Sequence, residues 1–262
     1  MPTSVLMNLW SCNVWKRQSE KEASDDVLAT TINFNTQVSD IHSEPITVEG
    51  ELVETMSASF ANLTADWPAI GPVIDESKYI GRSKQSAVTD HCKDIHNSIN
   101  YDNPETLARK IESCEIDPEC FYYASYQLDV AGFSTTGNPQ RNPDNFQVYQ
   151  EIKDASGSYI GHTNIEVTVN GIGYMKQALS AGTPVLIGIK MKGFNYRKND
   201  DKTTGHYIVV VGMDSDDKGY YFICYDYLQP PGGDGDKFYL TDMLNLVSDG
   251  GDIIAQIRKT RG

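Results

Sequence analysis

Three residues combine type and position in a way that suits nucleophilic chemistry. Cys120 opens the apolar run "CFYYASYQLDVAG". His206 opens "HYIVVVGMD" after a flexible Thr-Thr-Gly lead-in. Asp226 lies in "YFICYDYL", on the run that follows. A thiol attacks a carbonyl as the thiolate, and a helix N-terminus favours that anion through its partial positive charge and unsatisfied N–H groups. A neighbouring imidazole takes the proton and later returns it to the leaving group. A carboxylate on the other ring nitrogen fixes tautomer and orientation. The reaction within reach of such a set is amide hydrolysis through an acyl-thioenzyme.

Competing assignments exist. Cys92 is a rival nucleophile, with His91 and His96 beside it. Cys12 and Cys224 read as core residues. Five cysteines at irregular spacing, with no CxxC pair, argue against a disulfide framework and against a zinc ribbon; a Cys114–Cys120 bridge stays open as an alternative. The five histidines and five cysteines show no metal-ligand spacing, so neither a metal nor another cofactor is expected. The acidic loops "DSDDKG" and "KNDDKTTG" lack the spacing of a calcium-binding loop and read as solvated turns.

The elements that must position these residues follow from pattern. Residues 120–132 are apolar nearly all round and stop at Gly132, which predicts a central buried helix. "AVTDHCKDIHNSINY" sets Val88, Cys92, Ile95 and Ile99 at helical spacing. "NPETLARKIESC" opens with Asn103 as N-cap and Pro104 at the first helical position. "GIGYMKQALSAG" is a helix closed by Gly182, preceded by a strand over "IEVTVN". "TPVLIGIKM", "HYIVVVGMD" and "GYYFICYDYL" are strands, the last two joined by a turn at "DSDDKG". Helices followed by consecutive strands predict an α+β fold. Residues 1–80 read as an accessory region: a helix entered at Ser24, a strand over "PITVEGELVETM", a short helix over "SASFANLTADW" and a linker over "WPAIGPVIDESKYIG". Residues 81–262 then form the hydrolase domain.

The chain has 262 residues and a formal charge of −14, which disfavours nonspecific binding to nucleic acid or an anionic membrane. No stretch has the length or apolarity of a membrane span. The first residues lack the pattern of a cleavable leader, so synthesis in the cytoplasm is expected, with any export by a leaderless route.

"CFYYASYQL", "GTPVLIGI", "GHYIVVVGMD" and "YFICYDYL" together resemble the papain-like cysteine hydrolases, in the bacterial branch that includes bacteriocin-leader peptidases. A fuller pattern resembles toxin domains associated with type VI secretion: Cys120, Phe121, Ala131 and Gly132, then Gly171 to Ile189, then Asn195, Asp200, Gly205 and His206. The likeness covers roughly residues 115–230. It implies a papain-like fold, with Cys120 as nucleophile, His206 as general base and Asp226 as orienting acid. It also implies a secreted antibacterial effector cleaving cell-wall peptide as an amidase or endopeptidase, with an immunity protein and a secretion-apparatus component as partners. Two alternatives stay open: a protein-directed cysteine protease or deamidase, and a non-catalytic binding module. The chain departs from the peptidase pattern before Cys120, where "SCEIDPE" offers no Gln or Asn for an oxyanion hole and places Glu115, Asp117 and Glu119 near the thiol.

Overall fold

The structure, a computed structural model, describes residues 45–137, 144–194, 201–229, 231 and 237–262, with side chains from 54 onward. The helix expected at Ser24, Cys12, the pattern residues Asn195 and Asp200, and most of the "QPPGGDGD" loop lie outside them. The chain divides into a unit ending at Glu54 and a compact unit from Thr55 to Gly262.

Helix α1, Pro45–Thr64, replaces the strand expected over residues 45–56. Glu, Leu, Met and Ala dominate from Glu49 to Ala61. Once a helix is nucleated there, extending it through the β-branched residues near its start costs little. The stretch expected to be a linker, 67–81, is also reassigned. Ile70 pairs with Met213 in both directions (2.7 and 2.9 Å), and the Val73 N–H donates to Val211 O at 2.7 Å. Gly212 makes room for this approach, since a Cβ there would lie 2.6 Å from Ile70 O. Ile74 and Ile80 are buried.

Helices α2 (Gln85–Ser98), α3 (Pro104–Ile116) and α4 (Cys120–Asp129) follow as expected. The Asn103 side chain caps α3 by accepting from Glu105 N at 2.8 Å. Gly132, at φ +85°, turns the chain out of α4. Strands β1 (Ser134–Thr135), β2 (Asn145–Gln147), β3 (Tyr149–Lys153) and β4 (Tyr159–Thr163) come next, then helix α5, Ile165–Ser180. The strand expected over residues 165–170 is the start of α5. Asn164 caps it, accepting from Val167 N at 3.1 Å, and Thr168, Gly171, Ile172, Met175, Ala178 and Leu179 recur on its buried face. Six residues alternating by chance imitate a strand; the sixteen-residue helical period decides.

The main sheet holds β2, β10 (Ile253–Arg258), β5 (Val185–Lys190), β6 (His206–Asp216), β7 (Gly219–Tyr225), β8 (Lys237–Leu240) and β9 (Leu246–Ser248) in that order, and every pairing is antiparallel. β9 also pairs with β10 through Val247 and Ile253, so the sheet curls back on itself. The short β11 (Thr260–Arg261) pairs with β1. The architecture is α+β. Strand β6 is buried on both faces. Ile208 and Val210 pack with α5 and the sheet's inner residues, while Tyr207, Val209 and Val211 pack with Phe121, Tyr122 and Leu128 of α4. That two-sided burial is why its sequence is an unbroken apolar run rather than an alternating one.

Candidate active site

Cys120 is the first residue of α4. Glu119 precedes it in extended conformation and gives no side-chain cap, while its backbone carbonyl accepts from Tyr122 N at 2.9 Å. Phe121, Tyr122, Tyr123, Ala124 and Leu128 bury the helix behind it, while Cys120 itself stays half-buried. The nucleophile candidate thus stands at the head of a buried helix and is itself only partly buried.

His206 opens β6, and its lead-in is not flexible. Thr203 and Thr204 are fully buried. The Asp201 carboxylate accepts from Thr203 N and Thr204 N, both at 3.0 Å, and also takes the Thr204 hydroxyl. Thr204 lies against Gly188 of β5, where a Cβ would sit 2.6 Å from its Cγ2. Gly205 N donates to Ile189 O at 2.9 Å, which seats the strand start. Asp201 belongs to one of the acidic loops expected to be a solvated turn; its carboxylate is instead an anchor for the histidine.

The structure brings Cys120, His206 and Asp226 together. His206 Nε2 is 3.0 Å from each oxygen of Asp226. The Cys120 side chain is the other hydrogen-bond partner of the imidazole. An Nε2–H directed at the carboxylate leaves Nδ1 as the ring nitrogen able to take the thiol proton. Burial pushes the imidazole pKa down; the charges and hydrogen bonds of Asp226 and Cys120 outweigh it and hold the ring well above its usual value. The imidazolium is therefore favoured in a site where an isolated buried histidine would be neutral. Asp226 is fixed in turn. Leu228 N donates to its Oδ1 at 3.0 Å, Gln229 N donates to its backbone carbonyl at 2.9 Å, and the Tyr79 hydroxyl sits against that carbonyl.

Residues 101–243, just over half of the chain, match the family model described as Peptidase_C39 like family. The chain belongs to this family. Membership makes it a relative of the papain-like cysteine peptidases, and the C39 name accords with the likeness to bacteriocin-leader peptidases read from the sequence. No match is found among curated proteins or solved structures. The span shared with the C39-like family holds all three site residues and leaves out α2 and β10.

Several residues of this C39-like site were not visible in sequence. Tyr227 lies 5.7 Å from the His206 ring and stacks on Tyr123 of α4 at 4.2 Å. This aromatic pair spans the helix and the sheet at the candidate triad. Asp252, just before β10, interacts electrostatically with both His206 and Asp226; burial pushes its carboxyl pKa up. Tyr79 comes from the stretch expected to be a linker. None carries a local signal, because each reaches the site from a distant part of the chain.

The rival nucleophile is removed. Cys92 is joined to Cys114 in a disulfide, contrary to the expectation from cysteine spacing, and no Cys114–Cys120 bridge forms. Folding α2 against α3 brings together two sulfurs 22 residues apart, a proximity that irregular spacing cannot announce. His91 hydrogen-bonds the Ser125 hydroxyl at 3.0 Å, tying α2 to α4. Of the acids before Cys120, Glu115 pairs with Lys93 at 2.8 Å.

Proposed function

We propose that the chain is a Cys-His-Asp peptidase in which Cys120 attacks the carbonyl carbon of a peptide bond. One observation carries this reading: a single buried imidazole shared between a carboxylate at 3.0 Å and a thiol at a helix head. His206 Nδ1 accepts the thiol proton, giving a thiolate beside an imidazolium held by Asp226. The sulfur adds to the carbonyl, and the backbone N–H groups at the start of α4 donate to the oxygen that becomes negative. The imidazolium protonates the departing amine. Water, deprotonated by the same ring, then cleaves the thioester and regenerates the thiol. Asp226 keeps the ring oriented throughout.

The substrate we propose is the peptide part of bacterial cell wall, met by a secreted antibacterial effector. The motif likeness to secreted toxin domains supports this substrate. Incubating the protein with purified cell wall and with unfolded polypeptide, followed by mass analysis of the fragments, tests both layers. Hydrolysis of either that survives Cys120→Ala removes the peptidase reading. Fragments from polypeptide but from no type of wall remove the cell-wall substrate and leave the chemistry.

A binding module is the second reading. It is favoured by the stretch Ser113–Glu119, which contains no amide side chain to complete an oxyanion hole. Stoichiometric capture of intact peptide by both the parent protein and Cys120→Ala would select it.

A further inference from the structure

Away from the candidate active site, the described residues gather a cluster of soft ligands. Cys92 and His96 lie one turn apart on the buried face of α2, and Cys114 approaches from α3. Their ligand atoms, one from each residue, lie within 4.8 Å of one another, and all three residues are buried. The structure shows the two sulfurs joined. In the reduced chain the same positions present two thiols and an imidazole to one point. We propose that the reduced chain holds a zinc ion on Cys92, His96 and Cys114, and that the Cys92–Cys114 disulfide is the oxidised, metal-free state of the same site.

Donor chemistry and geometry both fit. Two thiolates and an imidazole are a zinc donor set. Bonds of about 2.0–2.3 Å around a tetrahedral ion place ligand atoms roughly 3.3–3.8 Å apart, inside the spread already present. The cysteine Cα atoms are 5.8 Å apart, so side-chain rotation parts the sulfurs while the helices stay in place. His96 also has the outer hold that metal-bound histidines show. The Tyr101 hydroxyl is 2.7 Å from Nδ1 and the Tyr122 hydroxyl 2.7 Å from Nε2. Turning one nitrogen to the metal leaves the other tied to a tyrosine, and water fills the fourth position. A cleft lined by Gln85, Ser86, Thr89, Asp90 and Glu115 opens on the same two helices. The Thr89 hydroxyl donates to the Cys114 carbonyl at 3.2 Å, so a residue lining the cleft also touches one of the ligand residues.

Exchange between the states is balanced by a small disulfide such as oxidised glutathione. The two zinc-held thiolates lose two electrons and form one S–S bond. The oxidant's S–S bond breaks, its two sulfurs take up protons as thiols, and Zn²⁺ departs. The free energy of zinc binding in the reduced state then replaces the cross-link as the tie between α2 and α3.

The proposal does not rest on the peptidase reading, and Cys120 has no part in it. The test therefore uses the full chain with Cys120→Ser. The protein is reduced, freed of metal and titrated with Zn²⁺ alone against a chromogenic chelator, then with Co²⁺ alone. One equivalent of zinc and a thiolate–cobalt charge-transfer band are expected. Both are lost in Cys92→Ser and in Cys114→Ser, and zinc binding weakens in His96→Ala. Oxidised glutathione is expected to expel one zinc per disulfide formed. The oxidised form of the same protein, folded and identical in sequence, is the reference, so misfolding of a variant cannot imitate the result. Zinc uptake by the reduced protein no greater than by the oxidised form overturns the proposal. So does zinc binding that persists with Cys92 and Cys114 both replaced.

Discussion

Asp226→Asn isolates the charge that the candidate site depends on. Asparagine keeps an oxygen for the His206 Nε2–H and roughly the same volume, so the fold and the ring position are retained while the negative charge is removed. His206 is buried and its Nε2 stands 3.0 Å from both carboxylate oxygens, which places the two charge centres about 4 Å apart. At an effective dielectric near 20, opposite charges at that distance attract by about 4 kcal/mol. Part of that is kept by the amide oxygen, which still accepts from the ring N–H. A net loss of about 3–4 kcal/mol for the imidazolium weakens the thiolate–imidazolium pair by roughly 100- to 1000-fold. The neutral thiol and imidazole are then favoured over the thiolate–imidazolium pair. Iodoacetamide alkylation of Cys120, mapped by mass spectrometry across pH, reads this directly. The variant is expected to label about 100- to 1000-fold more slowly at pH 7, with its rise displaced to higher pH, and peptide hydrolysis is expected to fall in parallel. Superimposable profiles for parent and variant would refute the reasoning, because the carboxylate would then contribute nothing to the ion pair. Selective labelling of Cys224 rather than Cys120 would refute it equally.

Further outcomes follow from the same structure. Gly188→Ala drives a methyl into Thr204, two residues before His206; a stability loss of about 1–3 kcal/mol is expected, with hydrolysis falling further than stability does, measured by urea unfolding beside an activity assay. His206 has a folded-state pKa raised above its unfolded value. Its contribution to stability is therefore complete below about pH 6.5 and is lost as pH climbs through the raised value; unfolding midpoints across that range are expected to fall with pH in the parent and to flatten in His206→Ala. Reducing the Cys92–Cys114 bridge in the presence of a chelator opens a loop of 22 residues; a loss of about 3 kcal/mol is expected by chemical denaturation. Asn103→Ala removes the α3 cap and is expected to cost about 1 kcal/mol in the same measurement.

The candidate triad was legible because each member stands where a local pattern changes. Cys120 begins a nearly all-apolar helix, His206 begins a strand buried on both faces, and Asp226 follows the next strand of a tight hairpin. The hairpin returns the chain toward the start of β6, where Tyr225 pairs with Val209, which brings Asp226 near His206. Caps at Asn103 and terminators at Gly132 and Gly182 were legible for the same local reason. Two strand assignments failed, at residues 45–56 and 165–170. A short alternating stretch cannot outvote the helix it belongs to, whose period shows only over more than a dozen residues.

Cysteine pairing, the Tyr123–Tyr227 stack, the approach of Tyr79 and Asp252 to the site, and the docking of residues 70–73 on β6 belong to the tertiary structure. Hydrophobic period, capping and turn chemistry act over a few residues, so the sequence alone determined which elements form and what they carry at their ends. Which distant side chains meet depends on how helices cross and how a sheet curls. Those are set by packing the whole core at once, and no window of sequence contains them.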